Sequence, residues 1–283
     1  MKPISRSFQA YIANARLAWN MEGNWAPPLV YLAISLLSPA ASVLIIVFMY
    51  LVILGDARDT TFIAFVIPGS AVYIFVRFVL QGCGYAVVED REHYRLLRYI
   101  YIAPVPFPVQ LFGRTTPKIL IATVGSALTI LAGVLFLDIP LRPDGVDWMM
   151  LCGGFAVGLI GCLALGWILA SLMLLLDRMG WAMVEGVAGV IFLLSGMVIP
   201  LGILPGFLSR IGTALPMTYW AELWRHALFG SMAALSLPGM NIAQLWQRLL
   251  FTTAVIAVLA FAWYFVADRI ARRWGRIEAE TFY

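Results

Sequence analysis

The densest run of ionisable side chains is Glu89-Asp90-Arg91-Glu92, followed within ten residues by Arg95 and Arg98. Three acids and three arginines are too polar to lie in lipid and too few to found a domain. Leu96, Leu97, Ile100 and Tyr101 share one side of the same stretch, and that side needs an apolar groove to cover it; the plain alternative is a solvated connector. Two further charges fall within long apolar runs, Arg77 and Glu185. A charge at the centre of a membrane helix costs about 2.5–3.5 kcal/mol on insertion scales, so Arg77 either lines a polar cavity, faces a partner protomer, snorkels, or pairs with Glu185 or Glu222. Glu222, Arg225 and His226 stand at i, i+3 and i+4, the spacing of local helical pairing.

No catalytic constellation accompanies these charges. A phosphate-binding loop requires GxxxxGK[ST], and the only lysines are Lys2 and Lys118, neither so placed. HExxH and GxSxG are missing. Cys83, Cys152 and Cys162 have neither CxxC spacing nor histidine neighbours, so they read as small buried hydrophobes, with no metal site expected.

The elements that must hold these residues are membrane helices. Apolar residues make up 62% of the 283 positions and charged residues 12%, where a soluble domain carries about a quarter charged. Continuous apolar runs, each near the roughly 20 residues that cross a bilayer, exclude an outer-membrane barrel and predict an all-α integral membrane fold. Six spans are expected at 27–54, 62–88, 117–137, 148–176, 181–199 and 249–267. Residues 1–26 lack the apolar core of a cleavable signal; Phe8, Ile12, Ala15 and Trp19 form one helical stripe, with Lys2, Arg6, Arg16 and Asn20 around it, predicting an interfacial amphipathic helix. Residues 268–283 form a tail. With both ends cytosolic, the inside carries thirteen basic residues (Lys2, Arg6, Arg16, Arg91, Arg95, Arg98, Arg114, Lys118, Arg178, Arg269, Arg272, Arg273 and Arg276). The outside carries five: Arg58, Arg142, Arg210, Arg225 and Arg248. Positive-inside asymmetry selects that orientation. The net charge of +4 therefore reports topology and implies no nucleic-acid partner. The segment 200–230 is too proline-broken for a straight span and too apolar for an exposed loop. Short helices at 201–212 and 216–229 predict a hairpin re-entering from outside, with Tyr219, Trp220, Trp224 and Phe229 at the interface. No internal repeat stands out, which weighs against an inverted-repeat transporter.

Two stretches carry a resemblance. VVEDREHYRLLRYIYIAPVPFPVQLFGRTTPK (87–118) resembles the cytosolic coupling loop of the type-2 permeases of ATP-binding-cassette (ABC) transporters: an acidic, Arg-containing run after the second span, a short helix, then an Ala-Pro-Val turn. Residues 194–230 are similar to that family's re-entrant stretch through Ser195, Gly196, Pro200, Pro205, Pro216, Thr218, Tyr219, Arg225 and Gly230. Where many members have Gly-Thr-Leu-Glu in the coupling helix, this chain has Arg95-Leu96-Leu97-Arg98, which changes the charge of the docking surface.

The resemblance implies a non-enzymatic exporter subunit in a bacterial cytoplasmic membrane, paired with a second permease protomer, identical or not. ATP and Mg would be bound by a separate pair of ATPase subunits pressing on the helix at 89–101 within the coupling loop 89–116. It makes Glu89, Asp90, Arg91, Glu92, Arg95, Leu96, Leu97, Arg98 and Tyr101 the coupling residues. Arg77, Glu185, Tyr219, Glu222 and Arg225 are candidates for the cavity or the protomer interface. The spans lack the polar or aromatic run of a glycan channel, favouring a hydrophobic or amphipathic substrate over a lipid-linked polysaccharide. A membrane-embedded lipid-modifying enzyme and a secondary transporter are the alternatives from other classes.

Overall fold

The computed structural model describes residues 3–23, 60–103, 105–137, 145–176, 180–230 and 236–275, with single positions between 27 and 48. Nearly all of the expected first span at 27–54, residues 177–179 of the turn DRMG, most of the two loops GDARDTT and DIPLRPDGVD, and the tail beyond 275 lie outside them. The described elements are helical: α1 Pro3–Gly23, α2 Thr60–Val88, α3 Leu97–Ile102, α4 Phe107–Leu137, α5 Trp148–Met173, α6 Gly180–Leu194, α7 Gly206–Ala214, α8 Pro216–Phe229 and α9 Ile242–Arg273. A π-helical turn, Glu89–His93, prolongs α2.

Among the described residues, four helices are long and apolar enough to cross a membrane: α2 with its π turn, α4, α5 and α9; α6 is apolar but shorter. At 1.5 Å per residue its 15 residues reach only about 22 Å. α2 is the axis of the fold, packed on α4, α5, α6 and α8, while α9 packs on α5 and α8 and α1 lies along α4.

Helix ends depart from expectation for local reasons. α4 begins at Phe107 and not at 117, because Pro108 sits in the first turn, where a missing N–H costs nothing. α9 runs past 249–267 at both ends. Asn241 and Gln244 form a reciprocal capping box at its start, and an Asp268–Arg272 pair one turn apart (3.0 Å) supports its last turns. α6 ends at Leu194, five residues short of 199, since Gly196 takes a left-handed φ of +69° just beyond it.

α8 was expected to lay aromatics at an interface. Instead Tyr219, Trp220 and Trp224 are buried in the core. The reason lies on α5: a Cβ at Gly158 would collide with the Trp220 indole, so the ring rests on bare backbone, edge-on to Trp224 at 5.8 Å and beside Phe75 at 5.7 Å.

Candidate functional site: a charged clamp, a polar seam and a buried lock

The acidic run after α2 folds back on its own protein. In the π turn, Tyr94 N–H donates to Glu89 O (2.9 Å) and Leu96 N–H to Asp90 O (2.7 Å); Arg95, at φ +53°, then reverses the chain into α3. Arg114, on α4, reaches Glu89 (3.2 Å) and Asp90 (3.0 Å) together. Arg91 pairs with Glu92 (2.9 Å) and donates to the Met173 carbonyl (3.1 Å), closing the C-terminus of α5. The Gln110 amide donates to the carbonyls of Ile100 and Val105, both at 3.3 Å, tying α3 and the following turn to α4. Tyr101 stacks on Phe107, which stacks on Tyr264 of α9, and the Arg272 guanidinium lies 4.8 Å above the Tyr101 ring. Burial, with the Asp268 carboxylate nearby, holds the Tyr101 phenol well above its ordinary range, so it stays protonated.

This arrangement corrects the expected apolar face. Leu97 is 2% exposed, and Ile100 and Tyr101 pack against the same interior. The apolar side chains that α3 turns outward are Tyr99, 56% exposed, and Ile102, 80% exposed. The loop's acids likewise meet arginines of their own chain; Arg95 is exposed, and the side chain of Arg98 lies outside the described set.

Higher along α2, Arg77, Gln81 and Tyr85 stand one turn apart and converge on Glu185 of α6. The Tyr85 hydroxyl and the Gln81 amide each donate to Oε1 at 2.6 Å, and Arg77 Nε lies 3.7 Å from Oε2. Aromatic pairs close both ends of this seam, Tyr73–Phe192 at 4.3 Å and Tyr85–Trp181 at 4.2 Å. Arg77 and Glu185 keep 31% and 43% of their side-chain surface, so the seam opens to the outside of the protomer. The i, i+4, i+8 spacing of Arg77, Gln81 and Tyr85 was the signal that would have found the whole group.

Glu222 and Arg225 are sealed inside instead. Arg225 Nη1 donates to Glu222 Oε2 at 2.6 Å; Nε donates to the Phe65 carbonyl (3.0 Å); and Nη2 donates to the carbonyls of Gly196 (2.9 Å) and Met197 (2.7 Å). The guanidinium also lies 3.7 Å over the Phe65 ring, and Leu237 N–H donates to the other Glu222 oxygen. Arg225 thus locks α8 to α2 and to the turn after α6, a role that helix spacing alone concealed. Tyr219, Glu222 and Arg225 do not reach the protomer surface, which removes them from the candidates for a cavity or protomer interface. Of the cysteines, Cys83 and Cys162 are buried but Cys152 is exposed, correcting the expectation for that residue.

A family model described as ABC-2 type transporter matches residues 18–229, from the end of α1 to the end of α8. The chain belongs to the ABC-2 type transporter family. A search of curated proteins finds no match. As an ABC-2 membrane domain, the chain is a multi-pass transmembrane subunit of an ABC transporter, a transport component of a generally non-enzymatic family. The ABC-2 match spans the ion pairs of clamp, seam and lock, while Leu237, Tyr264 and Arg272 support them from beyond it.

Proposed function

We propose that the protein is the permease of an ABC exporter, driven by ATP hydrolysis on a separate ATPase that docks on α3. The observation that carries this reading is the exposure of Tyr99 and Ile102 on a short helix whose Leu97, Ile100 and Tyr101 are anchored in the protein. A helix presented on so firm a base is suited to receive a push. Pressure on α3 reaches α4 through Gln110 and Phe107, α2 through the Arg114 clamp, and α9 through Tyr101 and Arg272. Such a two-state gate works only through contacts that differ between its states.

The working unit is two permeases and two ATPases in the bacterial cytoplasmic membrane, with both chain ends in the cytosol, as the Lys and Arg distribution supports. Six spans are completed by 27–54 and by α6, and 200–230 forms a hairpin re-entering from outside, past which substrate leaves. The cavity lies between protomers, with Arg77 and Glu185 on its wall. A seam of tyrosines, one amide and one ion pair amid apolar surface suits a hydrophobic or amphipathic substrate.

The test is co-expression with an ABC ATPase subunit that co-purifies with the unaltered permease. Tyr99→Asp with Ile102→Asp is expected to leave the permease in the membrane while the ATPase no longer co-purifies and vanadate-sensitive hydrolysis by the complex is lost. Full retention of the ATPase by that variant refutes docking on α3.

A further inference from the structure

We infer that the recess between the end of α2 and the start of α6 binds an organic cation with an apolar body; as an identification of the transported substrate class, this rests on the export reading above. The recess has a volume of about 260 Å³ and is lined by Val88, Glu89, Glu92, His93, Tyr94 and Trp181. That is close to the lower end of the roughly 300–1,000 Å³ of small-molecule pockets, room for a substituted ammonium head and one ring.

Its chemistry selects the sign of the ligand. Two carboxylates stand in the wall, and the described lining holds neither a guanidinium nor an ammonium. The arginines that hold those carboxylates approach from within the protein: Arg114 on Glu89 at 3.2 Å and Arg91 on Glu92 at 2.9 Å, each guanidinium side chain nearly buried. An anion entering here would face like charge. A neutral apolar molecule would strip water from the carboxylates without replacing it. A cation gains from both carboxylates and from the Trp181 indole, a combination by which proteins recognise substituted ammonium groups, while the Tyr94 ring already carries the Arg114 guanidinium 5.9 Å from its centroid. Trp181 is half exposed and braced by Tyr85, whose hydroxyl leads directly to Glu185. The recess therefore adjoins the seam through the Trp181–Tyr85 contact: a charged head seats at the recess while its apolar body lies along Trp181 toward Tyr85.

The test is calorimetric titration of the full chain in lipid nanodiscs, without ATPase. The probes are benzyltrimethylammonium and, as a counterpart of opposite charge, phenylmethanesulfonate. Saturable binding of the cation alone is expected. Trp181→Ala and Glu92→Gln should each weaken it about 5-fold or more, Trp181→Phe should retain most of it, and Trp274→Ala, outside the recess, should leave it unchanged. Equal binding of the two ions, or an affinity untouched by both Trp181→Ala and Glu92→Gln, overturns the assignment. Because no ATPase is present, this result is separate from the co-purification test. Cation binding by a chain that recruits no ATPase would uphold the recess and remove its role in transport.

Discussion

At Arg225 a guanidinium is stabilised in the interior by one carboxylate, three carbonyls and the face of Phe65. Removing the negative partner leaves a charge with nowhere to go. Glu222→Gln is therefore expected to destabilise the protein by about 3–5 kcal/mol, read as a lowered midpoint of thermal unfolding in detergent. Arg225→Lys should also destabilise the site, since one ammonium cannot reach the carboxylate and three carbonyls that the guanidinium engages through three separate nitrogens. Arg77 differs in kind. Its pair with Glu185 is long and partly exposed, so Arg77→Ala should change stability by about 1 kcal/mol or less. It should nevertheless impair export while the ATPase still co-purifies. Unchanged transport by that variant would reduce the seam to a surface ion pair.

At the scale of elements, α3 separates two substitutions that look alike in the sequence. Leu97→Asp buries a carboxylate in the apolar core and should lower the yield of folded permease, whereas Ile102→Asp should spare folding and act on the ATPase alone. Size-exclusion profiles of the two variants, made without ATPase, distinguish these outcomes. Apolar runs of membrane length made α2, α4 and α5 legible in the sequence, and Pro216 with Gly230 marked the ends of α8 correctly. The facing of α3 was not legible. Its six residues hold too few turns to establish a periodicity, and the π turn with left-handed Arg95 resets the helical phase just before it. The interior position of Trp220 was equally hidden, because it depends on Gly158 of another helix. Gly158→Val should cost about 1–3 kcal/mol by overpacking, with a smaller loss in a Trp220→Ala background, measured as a double-mutant cycle.

At the scale of the whole molecule, reporter fusions test the proposed topology. Fusions after Arg58, Arg142 and Pro238 should report the outside, and those after Arg95 and Arg178 the cytosol; inversion of any of the first four along the chain breaks the six-span arrangement. Native mass spectrometry should find two permeases with two ATPases, and an active complex with one permease contradicts that stoichiometry. The contact of α3 with α9 also has a consequence in time. Chains are synthesised from the N-terminus at about 5–20 residues per second, and α3 leaves the ribosome long before Tyr264 and Arg272, which flank Phe107 and Tyr101. On the proposed docking, the platform for the ATPase is thus unfinished until α9 has been made. A nascent chain interrupted before α9 lacks both contacts, and on that proposal the ATPase is expected to engage the permease only after α9 has been made.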